Sequence, residues 1–134
     1  MVKASAISTL IVSLFLLFST PLFANNYQGK LELITADELL NNSEQYLVLD
    51  TRSKSEFDQG HIQGALNIPH TEVINQLEKL KGVNKTIVVH CRSGRRALTA
   101  EQALLDNGFN NLKHLQGDIK GWTANGYPLV TAEH

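Results

Sequence analysis

Short apolar runs that alternate with amphipathic segments constrain the fold of this chain more than any other feature. Residues 46–49 form a continuous apolar run, and residues 86–89 are the most β-prone run of the chain. Such runs are typical of strands that are buried on both faces of a parallel sheet. Shorter strands are predicted at 31–34, 65–68 and 112–115. Strands that alternate with helices indicate an α/β fold, here with a central parallel five-stranded sheet and helices on both faces.

The segments between these strands predict helices. Thr35 and Ser53 each precede a glutamate by three residues, which is the spacing of a capping box at the start of a helix. Residues 71–81 and 95–107 carry apolar side chains at helical spacing, and a glycine follows each segment. A last turn is predicted around Trp122, a side chain that we expect in the core or over the edge of the sheet.

Residues 1–24 have the composition of a secretory signal peptide. Lys3 is the only charge before an apolar stretch at 6–18, and Ala24 offers a small residue at which cleavage can occur. The stretch is shorter than the roughly 20 residues that a membrane-spanning helix needs. We therefore expect cleavage after Ala24, a periplasmic location and no stable membrane association of the mature chain. An uncleaved membrane anchor is the alternative.

The remaining residues, 25–134, are enough for one domain and too few for two. The formal net charge of the whole chain is −1 and its arginines gather at one point, so no nucleic-acid-binding surface is expected. A single cysteine excludes an internal disulfide. The histidines and the cysteine lack metal-ligand spacing, so neither a metal site nor a cofactor is expected. We expect the mature chain to be a monomer.

Cys91 directly follows the strand and His90, in a segment that leads into a predicted helix. Such a segment can curl so that its backbone amides point inward, and Gly94 permits the positive φ that the curl needs. Inward amides, a helix dipole and nearby arginines bind an anion and stabilise a thiolate. Cys91 is therefore the candidate nucleophile, and an inert buried thiol is the alternative. The residues of the candidate anion site are Arg92, Ser93, Gly94, Arg95 and Arg96.

Asp50 and Arg52 end another predicted strand at the same edge of the sheet, which is where ligands bind in parallel sheets. We expect the two side chains to form an ion pair that supports the loops; a catalytic role is the alternative. His61 is expected to be a hydrogen-bonded structural imidazole. The ring of His90 is expected to point away from Cys91, because neighbouring side chains of a strand lie on opposite faces.

The spacing between Cys91 and the nearest closing arginine distinguishes two reactions. Cysteine phosphatases typically separate the cysteine and the arginine by five residues, and the residue after that gap is Ala97 here. Arg96 closes a loop that is one residue shorter. A tighter loop suits a terminal sulfur or a persulfide better than a phosphate, so the spacing favours sulfur transfer. A phosphatase or arsenate-handling role is the remaining alternative.

Several motifs resemble those of the rhodanese family of sulfurtransferases. They are the D-x-R of residues 50–52, the E-x-x-x-G-H-I-x-G-A-x-N-I-P of residues 56–69, the six-residue active loop of residues 91–96 and the G-D/G-x-x-x-W of residues 117–122. The 56–69 segment matches its motif at every defined position. The resemblance spans about residues 31–130, nearly all of the expected mature chain.

The resemblance implies a rhodanese-like α/β fold, a cysteine persulfide intermediate and no metal. It makes Cys91 the sulfur-accepting nucleophile and makes the backbone from Arg92 to Arg96 the site that surrounds the substrate. Arg92 resembles an arginine found beside the nucleophile in many thiosulfate-using members. The expected function is transfer of sulfane sulfur from thiosulfate, or a related small anion, to cyanide or a thiol acceptor. The alternative is a sulfur-carrier or partner-binding module that turns over small molecules poorly.

Overall fold

Five parallel strands form the central sheet of the computed structural model, which describes residues 27–132. The strands are β1 (Leu33–Ile34), β2 (Tyr46–Asp50), β3 (Leu66–Asn67), β4 (Thr86–His90) and β5 (Leu112–Leu115). Their order across the sheet is β1-β5-β4-β2-β3, and each neighbouring pair is parallel. The predicted α/β fold with a five-stranded parallel sheet is confirmed.

The described residues form four α-helices, and the first two begin directly after the predicted capping residues Thr35 and Ser53. They are α1 (Ala36–Asn41), α2 (Lys54–Gln59), α3 (Arg95–Asp106) and α4 (Asp118–Ala124). Thr35 caps α1 by accepting a hydrogen bond from the Glu38 N–H at 3.1 Å. Ser53 and Glu56 form both hydrogen bonds of a capping box at the start of α2.

The prediction of one helix at residues 71–81 is wrong. The segment forms two 3-10 turns, Val73–Asn75 and Leu77–Lys79. The residue between the turns has φ −124° and ψ 23°, which lies outside the helical range and interrupts the helix. Apolar residues three or four apart suit successive turns as well as a helix, because one turn of either structure brings such residues to the same side.

Apolar side chains cover both faces of the sheet. Successive strand residues point to opposite faces, so Val89 packs in one core cluster with α3, and Val88 packs in the other with α1 and α4. Trp122 belongs to the second cluster, is 2 % exposed and donates its indole N–H to the carbonyl oxygen of Pro128 at 2.9 Å. Trp122 is therefore a core residue, which is one of the two positions predicted for it.

The carboxyl ends of β2, β4 and β5 lie at one edge of the sheet, where α3 and α4 also begin. The predicted signal peptide and the predicted start of the domain at residue 25 lie outside the described residues. Within residues 27–132, no helix combines the length and the apolar character needed to cross a membrane.

Candidate active site

The segment that we call the Cys91 loop, residues 91–96, joins the end of β4 to α3. The Gly94 N–H donates a hydrogen bond to Cys91 Sγ at 3.0 Å, so the loop curls back over the thiol as predicted. Gly94 has φ 109°, a conformation that side chains rarely adopt. A Cβ atom at this position would also lie 3.2 Å from Asp118 Oδ2. The curl therefore requires glycine for both conformation and space.

The start of α3 adds further hydrogen-bond donors next to the thiol. Gly94 is the N-cap of this helix, and no side chain caps it. The first N–H groups of an α-helix have no intrahelical partner and carry the positive end of the helix dipole. Cys91 itself is 1 % exposed. The thiol thus lies at the bottom of a site in which backbone N–H groups can stabilise a thiolate and bind an anion.

The three arginines of the Cys91 loop have different surroundings. Arg92 and Arg95 are exposed. The Arg96 guanidinium instead donates two hydrogen bonds to the Glu56 carboxylate, at 2.7 and 2.9 Å. Hydrogen bonds from Arg96 lower the pKa of Glu56 to about 2. Arg96, predicted as an anion-site residue, therefore holds α3 against the start of α2. The sequence pattern predicts Glu56 as part of a capping box but does not indicate that Glu56 also pairs with Arg96.

Asp50 and Arg52 form the predicted ion pair at the end of β2. Both side chains are buried, and Arg52 Nη2 lies 2.7 Å from Asp50 Oδ2. Arg52 also donates to the Gly60 carbonyl oxygen at 2.8 Å. The Asn67 amide donates to the carbonyl oxygens of both Asp50 and Arg52. The pair therefore fixes the loops around the end of β2.

The two histidines considered in the sequence analysis, His61 and His90, each form a hydrogen bond with a backbone carbonyl oxygen. His61 Nδ1 lies 2.7 Å from the Phe57 carbonyl oxygen, and its ring stacks on the Phe57 ring. His90 is fully buried, and its Nδ1 lies 2.9 Å from the Cys91 carbonyl oxygen. Its Nε2 lies 3.7 Å from Asp50 Oδ2, so the ring extends toward β2. Burial lowers the pKa of His90, which is therefore neutral near pH 7.

A second buried ionic cluster lies on the β5 side of Cys91. Asp118 Oδ1 accepts a hydrogen bond from the Cys91 backbone N–H at 2.9 Å. His114 Nε2 lies 3.0 Å from Asp118 Oδ2, and His114 Nδ1 lies 2.5 Å from Glu101 Oε1. The Tyr27 hydroxyl donates to Glu101 at 2.5 Å, and its ring stacks on the His114 ring. Sequence reasoning missed this cluster; only Asp118 belonged to a recognised motif.

The start of α4 also holds the Cys91 loop through its backbone. The Ile119 N–H donates to the Cys91 carbonyl oxygen at 3.1 Å, and the Lys120 N–H donates to the Arg92 carbonyl oxygen at 3.0 Å. Asp118, immediately before them, has φ 54° in the left-handed region. The Asp118 side chain and the backbone N–H groups of the two residues that follow it thus all bond to the Cys91 loop.

Comparisons with known proteins agree with the fold. Residues 35–125 match the family model described as Rhodanese-like domain. The chain is 32% identical over 111 residues to thiosulfate sulfurtransferase 16, chloroplastic, of Arabidopsis thaliana, covering 75% of this chain and 91% of that protein. It is 35% identical over 95 residues to a sulfurtransferase of Allochromatium vinosum, covering 70% and 87%. A rhodanese-related protein from Thermoplasma volcanium superposes with TM-score 0.65 at 32% identity, covering 75% of this chain and 99% of that one.

Proposed function

Because this chain belongs to the rhodanese family, we propose that it is a sulfurtransferase that moves sulfane sulfur from thiosulfate, or a related anion, to a thiol acceptor or cyanide. One observation carries the proposal. The only thiol of the chain accepts a hydrogen bond from the Gly94 N–H, directly before the uncapped start of α3. A thiol placed among backbone donors is suited to react as a thiolate with an anionic donor.

The reaction has two covalent steps. The Cys91 thiolate attacks the outer sulfur of thiosulfate, a new S–S bond forms, and the sulfur–sulfur bond of the donor breaks. Sulfite leaves with the electron pair of that bond, and Cys91 holds the sulfur as a persulfide anion. The acceptor, as a thiolate or cyanide, then attacks the outer sulfur and regenerates the Cys91 thiolate. Such double displacement is covalent catalysis with ping-pong kinetics.

The surroundings of Cys91 suit each stage of this reaction. The exposed Arg92 and Arg95 attract a small anion, and their guanidinium groups have the geometry to bind sulfonate-like oxygens. The Gly94 N–H and the start of α3 stabilise negative charge on the thiolate or the persulfide. Because a persulfide places its outer sulfur about 2 Å beyond Cys91 Sγ, it extends the reactive atom beyond the buried thiol.

The burial of Cys91 favours one alternative, a carrier that exchanges sulfur with a dedicated protein. A thiol that is 1 % exposed is shielded from most molecules in solution, and a protein partner that binds around the Cys91 loop can bring its own thiol to the persulfide. Steady-state kinetics with thiosulfate and cyanide separate the two functions. An enzyme turns over many donor molecules per chain, whereas a carrier forms one persulfide and then stops.

The decisive experiment is mass spectrometry of the intact protein after treatment with thiosulfate. We expect the mass to increase by one sulfur atom, and we expect cyanide to remove that sulfur. The matched control is Cys91→Ser, which is nearly isosteric and should gain no sulfur. If the parent protein gains no sulfur, or if the Cys91→Ser protein still transfers it, the proposed function is wrong. Hydrolysis of an aryl phosphate that depends on Cys91 would support a phosphatase instead.

The proposal includes export. Residues 1–24 act as a signal peptide that is cleaved after Ala24, and the mature protein is a periplasmic monomer. The test is fractionation of cells that express the full chain, followed by the intact mass and the sedimentation of the recovered protein. A chain that keeps residues 1–24 in the membrane fraction would support the anchored alternative, and a chain lacking residues 2–24 is the control that should remain in the cytoplasm.

A further inference from the structure

The cluster formed by Tyr27, Glu101, His114 and Asp118 connects four parts of the fold to the amide of the nucleophile. Tyr27 belongs to the segment before β1, Glu101 to α3, His114 to β5 and Asp118 to α4. The side chains of Glu101, His114 and Asp118 are at most 4% exposed. A buried network of this kind is stable only if its charges and hydrogen bonds are matched.

The surroundings of His114 favour its protonated form. Each ring nitrogen lies within hydrogen-bond distance of a carboxylate oxygen, Nδ1 on Glu101 and Nε2 on Asp118. A neutral imidazole has one N–H, whereas an imidazolium has two and satisfies both carboxylates. Burial alone lowers the pKa of His114, but hydrogen bonds to Asp118 and Glu101 outweigh burial and raise it to about 9. His114 is therefore a cation at neutral pH.

The positive charge of His114 offsets the negative charge of Asp118, which lies next to Cys91. The Asp118 carboxylate contacts the Cys91 N–H, and its other oxygen lies beside Gly94. A carboxylate in this position disfavours a thiolate, and an imidazolium on its far side offsets that effect. Three other cations lie in the Cys91 loop itself, Arg92, Arg95 and Arg96, and the charge of Arg96 interacts with Cys91. The other titratable groups around Asp118 add no cation: Glu101 is acidic, His90 is neutral because burial lowers its pKa, and burial and Glu101 raise the pKa of Tyr27.

The backbone at Asp118 does not require a carboxylate. Asp118 adopts φ 54°, a conformation in which glycine is at least as favourable as aspartate. The G-D/G-x-x-x-W motif that residues 117–122 resemble accepts either residue at this position. A carboxylate here adds an acceptor for the Cys91 amide and also a buried charge, and that charge needs a partner.

We propose that His114 is a positioning residue that acts through Asp118: it holds the Asp118 carboxylate against the Cys91 amide and offsets its charge, so that Cys91 stays reactive as a thiolate. The inference rests on the proposed function in one respect, that Cys91 is the reactive group. Its test therefore uses a reagent that reports on the thiol without a sulfur donor.

The test is a double-mutant cycle of His114→Gln and Asp118→Asn, read by the rate of Cys91 alkylation with iodoacetamide as a function of pH. Glutamine keeps a donor but loses the charge, and asparagine tolerates positive φ and keeps an acceptor for the Cys91 amide. We expect His114→Gln to slow alkylation at neutral pH by about fivefold and to move the pH midpoint of alkylation upward. Asp118→Asn should not slow it, and His114→Gln should have no effect in the Asp118→Asn background.

Two outcomes would overturn the proposal: no slowing in His114→Gln, or equal slowing with and without the Asp118 carboxylate. Thermal melting of each variant establishes that it is folded. If His114→Gln does not fold, Asp118→Asn decides the question, because it removes the carboxylate whose charge is proposed to disfavour the thiolate. Slower alkylation in folded Asp118→Asn would contradict the proposed charge effect, and unchanged or faster alkylation would support it. A parent protein that is alkylated normally but gains no sulfur from thiosulfate would overturn the proposed function and leave this inference intact.

Discussion

Buried ionic clusters flank β4, the strand that ends at Cys91, and they are built differently. On the β2 side, Arg52 pairs with Asp50, two residues earlier on the same strand end. On the β5 side, His114 lies between Glu101 of α3 and Asp118 of α4. The arginine keeps its charge at every pH at which the protein is folded, whereas the histidine can lose its proton. The β2-side cluster is therefore a permanent support, and the β5-side cluster is one whose strength depends on pH.

The two clusters also differ in whether they contact Cys91. In the β2-side pair, Arg52 donates a hydrogen bond to the Gly60 carbonyl oxygen, and the Asp50 carbonyl oxygen accepts one from the Asn67 side chain. The pair therefore organises the neighbouring loops. In the β5-side cluster, the Asp118 carboxylate instead accepts a hydrogen bond directly from the Cys91 N–H. We therefore expect changes on the β2 side to affect mainly stability, and changes on the β5 side to affect both stability and the reactivity of Cys91.

The largest expected effect comes from Arg52→Ala, which breaks the β2-side pair. It leaves the fully buried Asp50 carboxylate without its cation, which costs about 3–5 kcal/mol in the free energy of unfolding. Urea denaturation measures this loss. The matched control is Lys54→Ala, which breaks the exposed pair with Asp58 and should cost less than about 1 kcal/mol. Equal losses in the two variants would contradict the role assigned to the buried pair.

The second prediction concerns the pH dependence of stability, in which the two clusters should differ most. The pKa of His114 rises from 6.5 to about 9 on folding. A raised pKa stabilises the fold fully below the unfolded value and stops doing so as the pH rises through the folded value. Unfolding free energy should therefore fall by about 3 kcal/mol between pH 6 and pH 10. Urea denaturation across this range should show a smaller fall in His114→Gln; an identical fall would assign the dependence to another group.

The third prediction contrasts both buried clusters with the exposed arginine beside the nucleophile. Arg92→Ala removes the proposed charge-assisted contact to the donor, and such contacts are worth about 1.5–3 kcal/mol, so kcat/KM for thiosulfate should fall by roughly tenfold or more. Its unfolding free energy should stay within about 0.5 kcal/mol of the parent.

The matched variant for Arg92 is Arg96→Ala in the same loop. The Arg96 side chain is bonded to Glu56, so its loss should lower stability by about 1 kcal/mol and affect thiosulfate kinetics less than Arg92→Ala. Thiosulfate kinetics in Arg92→Ala that equal those of the parent would remove this arginine from the anion site.

The smallest expected effect is that of Tyr27→Phe, which removes one hydroxyl from the β5-side cluster and keeps the ring that stacks on His114. Loss of the half-buried hydrogen bond to Glu101 should cost about 1 kcal/mol of unfolding free energy. Tyr46→Phe is the matched control, because its hydroxyl bonds to Glu38 at the exposed surface and should contribute less. If Tyr46→Phe costs as much as Tyr27→Phe, the hydroxyl of Tyr27 is not a special part of the cluster.

The features that could be predicted from the sequence depend on residues that are close together in the chain. Capping at Thr35 and Ser53 involves groups three residues apart, and the Asp50–Arg52 pair involves groups two residues apart. The curl of the Cys91 loop likewise depends on Gly94, three residues from the thiol that it contacts. The failure at residues 71–81 has a local cause too, since apolar spacing alone does not distinguish a helix from consecutive 3-10 turns.

By itself, the sequence determined the parallel α/β fold and the curl of the loop around Cys91, the candidate nucleophile, because strand periodicity, capping and glycine conformation act over a few residues. Only the tertiary structure decided which ionic groups meet beneath that loop. Arg96 meets Glu56 across 40 residues, and His114 of β5 meets Glu101 of α3 across 13 residues, with β5 paired in parallel to β4, the strand that leads into α3. The partner of each of these charged side chains is set by which elements pack together in the fold. The local sequence around each residue does not indicate that partner.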